Sequence, residues 1–175
     1  LLFLGLLALT MNAAVQSQEL QQRLLPKPAS LTPGDGQFTI TAATPIVATD
    51  KALEPLARQL AARLQRVTGY PLTTGNTSGA NAITLSLKNG LPAEGYELSV
   101  SGNGITLQAS QPAGIFYGIQ TLYQLLPPEV EGSGLARASW QVPAVNITDQ
   151  PRFGWRGLML DGSRHFFTKE EVKRY

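Results

Sequence analysis

The stretch EGYELSVSGNGITLQASQPAGIFYGIQTLYQLLP, residues 94–127, decides the fold. Its first half alternates apolar and polar side chains over 96–101 and 105–110, and the residues GNG at 102–104 join these segments as a tight hairpin. Its second half, 114–127, carries apolar side chains at helical spacing. The stretch therefore predicts two antiparallel strands followed by a helix that packs on them.

A third alternating segment, 83–88, and a second helix lie upstream. Residues 50–68 form the helix, because their apolar side chains recur at spacings of three and four between a capping aspartate and a terminating glycine. Short strands are expected at 38–40 and 45–49. Clean alternation indicates a sheet with one buried and one wet face. We predict an α+β fold, an antiparallel or mixed sheet with two helices on one face.

One more strand is expected after a loop at 127–139. The segment WQVPAVNITD, residues 140–149, has the composition of a strand but contains Pro143. Proline has no N–H to donate to a neighbouring strand, so it is unfavourable in a central one. We therefore expect 140–149 to lie at an edge of the sheet.

The chain changes character near residue 150. Residues 151–175 hold six basic and three acidic side chains, whereas the first 150 residues hold eight basic and nine acidic ones. The run WRGLMLD, residues 155–161, is apolar without alternation, as in a strand buried on both faces of a parallel sheet. Thr168 and Glu171 then have the spacing of a capping box that opens a helix. Strand, polar turn and helix form the first unit of a β/α repeat, so we predict a domain boundary at 149–151.

The beginning of the chain has the pattern of an export signal. The apolar run at 1–11 is too short to span a bilayer, which takes about 20 residues. Small residues follow near a plausible cleavage position, so 1–17 is predicted to be a signal peptide remnant; a buried helix is the alternative. Export implies a secreted or periplasmic protein. The missing initiator Met, and the end of the chain inside a predicted helix, indicate a fragment of a longer protein.

Composition excludes several classes of function. The chain has no Cys and one His, which excludes disulfides, zinc–thiolate sites, iron–sulfur clusters and sites with several histidines. The formal net charge of +2 is too small to indicate a nucleic-acid partner. No glycine-rich phosphate loop is present in the sequence. We expect no cofactor, no metal, no nucleic acid and no membrane span.

A polar cluster, Asp161, Arg164 and His165, directly follows the predicted buried strand. Ligands of parallel β/α folds bind at the carboxyl ends of the strands. The planar fork of Arg164 suits paired oxygens on a ligand, although an ion pair with Asp161 explains the same spacing equally well. His165 has no partner motif for general-base catalysis, which favours a supporting role. Asp161 is a candidate acid or base without an obvious paired carboxylate.

Two blocks of the sequence, 94–127 and 151–175, resemble the β-N-acetylhexosaminidases of glycoside hydrolase family 20. The motif Arg-Gly-x-x-x-Asp-x-x-Arg-His-Phe, from Arg156 to Phe166, carries the resemblance most specifically. The resemblance implies an N-terminal α/β accessory domain at 18–150. It also implies that 151–175 is the truncated start of a catalytic (β/α)8 barrel, a TIM barrel.

The resemblance also implies a reaction. Family members remove terminal, non-reducing N-acetylhexosamine residues from glycans with retention, assisted by the acetamido group of the substrate. A Glu serves as general acid and base beside an Asp that orients the acetamide. This pair is expected beyond Tyr175, so the segment itself would hold no catalytic residue and be inactive alone. The family arginine that binds hydroxyls of the terminal sugar maps onto Arg164, with Asp161 and His165 as supporting residues.

Two other functions stay open from the sequence. The segment could be a non-catalytic carbohydrate-binding or packing module. It could also be the accessory domain of another glycosidase, such as an O-GlcNAc hydrolase, which would carry an adjacent Asp-Asp pair further along the chain.

Overall fold

The computed structural model of the chain describes residues 22–77 and 79–174, so the predicted signal remnant at 1–17 lies outside the described residues. The strands are β1 (Ser30–Thr39), β2 (Ile46–Ala48), β3 (Thr74–Gly75), β4 (Ala82–Leu87), β5 (Tyr96–Ser101), β6 (Gly104–Ala109) and β7 (Gln141–Asp149). The helices are α1 (Glu54–Thr68), α2 (Pro112–Leu125) and α3 (Lys169–Val172), with short 3-10 turns at Lys51–Leu53 and Pro128–Glu131.

All of these strands belong to one mixed sheet in the order β1-β7-β5-β6-β4-β2-β3. The pairs β2–β3, β2–β4 and β4–β6 are parallel, whereas β1–β7, β5–β7 and β5–β6 are antiparallel. The predicted hairpin is present, with Ser101 of β5 opposite Gly104 of β6. The prediction of a mixed sheet in an α+β fold is confirmed.

The alternating pattern separates the two faces of the sheet. Tyr96, Leu98, Ile105 and Leu107 are buried in one core cluster, into which α1 and α2 also direct their apolar stripes. The opposite side chains of β5 and β6 are polar and at least partly accessible. Burial of this single apolar layer is the main term that stabilises such a fold.

Two glycines let α2 approach the sheet closely. A Cβ at Gly118 would lie 2.2 Å from Leu107 Cδ1, and a Cβ at Gly114 would lie 2.2 Å from the carbonyl oxygen of Gly95. Non-bonded atoms cannot approach so closely, so only glycine at both positions allows α2 to pack at this distance from its neighbours. This close packing fixes the distance of α2 from β5 and β6. It thereby also fixes the position of Tyr117, which lies on α2.

The expectation that 140–149 forms an edge strand is wrong. β7 lies between β1 and β5, inside the sheet. Pro143 is tolerated because β5 pairs with β7 only from Val145 to Asp149, so Pro143 has a strand neighbour on one side alone. On that side β1 has a register shift between Pro33 and Gln37, which relaxes the pairing near the proline.

The strand predicted at 155–161 is not formed. The structure assigns no strand to 150–167, and most of these residues are exposed. A strand exists only through hydrogen bonds to a neighbouring strand, and within the described residues none pairs with this segment. The first unit of a barrel is therefore not present as such. The capping box is confirmed: Thr168 Oγ1 accepts from Glu171 N, and Glu171 Oε2 accepts from Thr168 N.

Candidate functional site

The predicted polar cluster lies on an exposed turn between the end of the sheet and α3. Asp161 Oδ1 accepts hydrogen bonds from Ser163 N at 2.9 Å and from Ser163 Oγ at 2.6 Å. These hydrogen bonds hold the pKa of the Asp161 carboxyl below its ordinary value, since they stabilise the charged form. Asp161 is thus an ionised acceptor at neutral pH rather than an acid poised to donate a proton.

Arg164 is held only loosely. Its Nε lies 3.8 Å from Asp161 Oδ2, and its side chain is 90% exposed. An exposed pair at this distance contributes at most a few tenths to about 1 kcal/mol of stability. The guanidinium is therefore free to bind another group. His165 is also exposed, and its ring lies edge-on to that of Phe167 at 5.6 Å between centroids.

A second polar cluster, which sequence reasoning did not find, fastens the segment after β7 to the sheet. We call Glu94, Tyr117 and Arg156 the clamp. Arg156 Nη2 donates to Glu94 Oε1 at 2.6 Å and to the Tyr117 hydroxyl at 2.9 Å, and that hydroxyl donates to Glu94 Oε1 at 3.2 Å. Arg156 Nη1 also donates to the carbonyl oxygen of Phe153.

The clamp brings together three distant parts of the chain. Glu94 precedes β5, Tyr117 lies on α2 next to the close-packed Gly118, and Arg156 follows β7. The hydrogen bond from Arg156 is the main reason why the pKa of Glu94 lies below its ordinary value. The same contact raises the pKa of Arg156, so both groups stay charged around neutrality. Glu94 and Arg156 lie in the two blocks of sequence resemblance, but no pattern in the sequence indicated their contact.

A groove of about 400 Å³ lies beside the clamp, between α2, residues 24–28 and residues 149–156. Tyr96 lies in its wall, where its hydroxyl is 2.5 Å from Thr121 Oγ1 and donates to Asp149 Oδ2 at 3.3 Å. Burial raises the pKa of Tyr96, so the hydroxyl stays neutral and keeps its proton. Gln124 closes one end by exchanging two hydrogen bonds with the backbone of Leu25, at 2.7 and 3.0 Å.

The segment after β7, which contains Arg156, exposes large apolar side chains. Trp155 is 89% exposed and Met159 is 94% exposed, and the others are Phe153, Leu158, Leu160 and Phe166. A run of exposed apolar side chains of this length is typical of a surface that contacts another protein segment.

The described residues meet neither the requirements of a metal site nor those of a membrane-spanning helix. Across residues 22–77 and 79–174, His, Asp and Glu side chains form no group of three or more that could hold a metal ion. None of the helices in that part of the chain is long and apolar enough to cross a bilayer.

The sequence matches a family profile described as "Glycosyl hydrolase family 20, domain 2" over residues 21–150. It is 38% identical to a beta-hexosaminidase of Porphyromonas gingivalis over 87% of this chain and 20% of that protein. It is 36% identical to a beta-N-acetylhexosaminidase of Cellulomonas fimi over 86% of this chain and 30% of that protein. The chain thus spans between a fifth and a third of the length of these relatives.

Solved structures give the same picture. The fold is similar to that of a family 20 beta-N-acetylhexosaminidase of Streptomyces coelicolor, with a TM-score of 0.81 and 41% identity over 89% of this chain and 32% of that one. It is also similar to the N-acetyl-beta-hexosaminidase of Streptomyces plicatus, with a TM-score of 0.80 and 42% identity over 89% of this chain and 31% of that one.

Proposed function

The chain belongs to glycosyl hydrolase family 20, and we propose that it is the N-terminal part of a secreted or periplasmic β-N-acetylhexosaminidase. Residues 18–150 form the accessory domain of that enzyme, and 151–175 begin its catalytic (β/α)8 barrel. Membership of this family favours the hexosaminidase over the accessory domain of an O-GlcNAc hydrolase.

One observation carries the proposal: residues 153–166 expose six large apolar side chains directly after a sheet and helices that share a buried core of their own. Full burial of one such side chain stabilises a protein by about 1.5–3 kcal/mol, so the segment gains from any apolar layer that covers it. Neighbouring strands of a parallel barrel supply such a layer, because they bury a strand on both faces. The segment then becomes the first barrel strand that its unbroken apolar run indicates.

Arg164 is the residue that we assign to the substrate. Once the segment is a barrel strand, Arg164 follows its carboxyl end, where barrels of this kind bind their ligands. Its side chain is 90% exposed and makes a single weak contact, so N–H groups of the guanidinium are available to donate hydrogen bonds. Two donors of a planar fork can reach neighbouring hydroxyls of a terminal N-acetylhexosamine. Asp161 and His165 support this turn from the same loop.

The reaction itself belongs to the rest of the enzyme. No adjacent Asp-Glu pair occurs in this sequence, and we place that pair on a later barrel strand. The acetamido oxygen of the substrate attacks the anomeric carbon while Glu protonates the leaving oxygen, and Asp orients the acetamide. Water then opens the cyclic intermediate, with Glu as base, and the product keeps the β configuration.

The reaction class is tested on the longer protein that contains this chain. We expect it to hydrolyse an aryl β-N-acetylglucosaminide with retention at the anomeric carbon. Proton NMR of the first product formed reports its anomeric configuration. The aryl β-glucoside, which lacks the acetamido group, should be a far poorer substrate because it has no internal nucleophile. Inversion, or equal rates on the two substrates, contradicts the assisted mechanism.

A further inference from the structure

The two arginines of the Arg156–Phe166 motif are in opposite situations. Arg164 is 90% exposed with one contact at 3.8 Å. Arg156 is 40% exposed, and its guanidinium donates to a carboxylate, a hydroxyl and a backbone carbonyl. The first arginine of the motif is therefore fastened to the sheet domain, whereas the second is free.

The contacts of Arg156 fix the orientation of its guanidinium as well as its position. Nη2 donates hydrogen bonds to Glu94 and Tyr117, while Nη1 donates to the backbone carbonyl of Phe153, three residues earlier in the same segment. The guanidinium carbon also lies 5.6 Å from the centre of the Tyr117 ring, within the range of a cation–π contact. A planar group held through both of its ends by three partners cannot rotate freely, so the backbone at 153–156 is fixed in orientation.

The partners of Arg156 are themselves fixed. Tyr117 is on α2, whose distance from the sheet is set by the glycine contacts at 114 and 118. Glu94 lies just before Gly95, whose N–H donates to the carbonyl oxygen of Pro92 in a tight turn before β5. The clamp thus ties 153–156 to the turn before β5 and to α2 at once.

We propose that Arg156 is a positioning residue: through Glu94 and Tyr117 it fixes the register of the segment that ends in Arg164, and so sets where Arg164 meets the sugar. This inference rests on the proposed function, because it takes Arg164 as the sugar-binding residue. In an extended chain, the eight residue steps from Arg156 to Arg164 span about 26 Å at ~3.3 Å each. A slip of one residue moves every side chain to the opposite face of the strand. A fixed point at Arg156 removes that freedom.

The chain offers a matched control for the clamp. Lys88 and Glu97 form an ion pair at 2.7 Å, with side chains 46% and 36% exposed, against 2.6 Å, 40% and 37% for Arg156 and Glu94. Lys88 directly follows β4, and Glu97 is on β5. This pair therefore links two parts of the sheet and does not touch the segment that leads to Arg164.

The test is a cycle of variants in the full-length enzyme, measured as kcat/KM on an aryl β-N-acetylglucosaminide. We expect Glu94→Gln to lower kcat/KM by about tenfold, within the ~100-fold that a 1 Å misplacement can cost. Glu97→Gln should leave it unchanged. Because the clamp acts through Arg164, Glu94→Gln should add no further loss to Arg164→Ala, a non-additive result.

The outcomes separate the inference from the proposed function. If Arg164→Ala keeps normal kcat/KM, the proposed role of Arg164 is wrong. If Arg164→Ala is impaired while Glu94→Gln behaves like Glu97→Gln, only the positioning role is overturned. Equal losses of kcat/KM from Glu94→Gln in the native and the Arg164→Ala backgrounds also overturn it, since the clamp would then act independently of Arg164.

A milder variant keeps the test valid if Glu94→Gln prevents folding. Tyr117→Phe removes one hydroxyl and keeps the ring on α2. We expect a loss of about two- to fivefold in kcat/KM, and this loss should also vanish in the Arg164→Ala background. A loss that persists there contradicts the proposal.

Discussion

Gly118 of α2 lies so close to Leu107 of β6 that a Cβ on the glycine would come within 2.2 Å of Leu107 Cδ1. Leu107 is fully buried, and Tyr96 closes the other side at 3.0 Å from the same Cβ position. The helix therefore has no room to accept even one methyl group. The position of Tyr117, and with it the clamp, depends on this contact.

The first prediction concerns this contact. Gly118→Ala should destabilise the chain by about 1–3 kcal/mol, because overpacking outweighs the ~1 kcal/mol gain in helix propensity. Gly114→Ala should cost more, since the added methyl would meet the backbone oxygen of Gly95 rather than a side chain. Urea unfolding of the 175-residue chain measures both. Gly134→Ala is the control, as a Cβ there meets nothing within 4 Å; a stabilised Gly118→Ala chain would contradict the packing account.

The second prediction concerns the restraint that the clamp places on 153–156. In the 175-residue chain, trypsin should cut after Arg164 faster than after Arg156, because only Arg156 is held by several partners. Glu94→Gln should speed the cut after Arg156 several-fold and leave the cut after Arg164 unchanged. Mass spectrometry of the early fragments gives both rates.

The Lys88–Glu97 pair supplies the control for that experiment. Glu97→Gln removes an ion pair of the same length and exposure but should not alter either rate. Similar acceleration by Glu94→Gln and Glu97→Gln would mean that the clamp does not restrain this segment specifically.

The third prediction is a pH dependence. The pKa of Glu94 in the folded chain lies below its ordinary value, chiefly because Arg156 donates to it. A depressed carboxyl pKa contributes stability above the unfolded pKa, about 4.3, and this contribution is lost as the pH falls through the folded pKa. The difference in urea midpoint between the native chain and Glu94→Gln should be present at neutral pH and shrink as the pH falls below about 4.3. A difference that stays constant over this range contradicts the assignment.

The fourth prediction concerns Arg164 in the full-length enzyme. Arg164→Ala should lower kcat/KM by about ten- to a few-hundred-fold, since a hydrogen bond to a charged group is worth roughly 1.5–3 kcal/mol and the sugar hydroxyls are left unpaired. Stability of the 175-residue chain should change by less than about 1 kcal/mol, because the pair with Asp161 is long and exposed. Arg174→Ala, at an exposed position just after α3, is the control and should change neither value.

A collapse in melting temperature with normal kcat/KM would favour the alternative left open by the sequence. Arg164 would then serve as the partner of Asp161 and not of the substrate. The 3.8 Å distance between them argues against that reading.

The sequence predicted the parts of the fold that follow from local periodicity. Strict alternation over 96–101 and 105–110 places their apolar side chains on the core face, and the glycine–asparagine–glycine turn joins the two strands. The stripe of 50–68 likewise predicts α1, although its first residues form a 3-10 turn before Glu54. Such patterns reflect which face each side chain must bury, so they can be recognised without knowledge of the rest of the chain.

The errors arise where tertiary pairing decides. β1 begins at Ser30, well before the short strand predicted at 38–40, because a register shift between Pro33 and Gln37 opposite β7 accommodates the intervening residues. Pro143 is tolerated inside the sheet because β5 pairs with β7 only from Val145 onward, which leaves the proline a strand neighbour on one side alone. The run 155–161 has the composition of a buried strand but lacks a neighbouring strand among the described residues. Glu94 and Arg156 are 62 residues apart, and no local pattern links residues at such a separation.

We propose that this chain is the non-catalytic front part of a β-N-acetylhexosaminidase, and a comparison of two activities tests this proposal. The purified 175-residue chain and the longer protein that contains it are assayed side by side on the same aryl β-N-acetylglucosaminide. We predict turnover by the longer protein and none by the chain, because we place the proton-donating Glu and its neighbouring Asp on a later barrel strand. Clear turnover by the pure 175-residue chain, or a well-folded longer protein with no hydrolysis at all, would contradict the account.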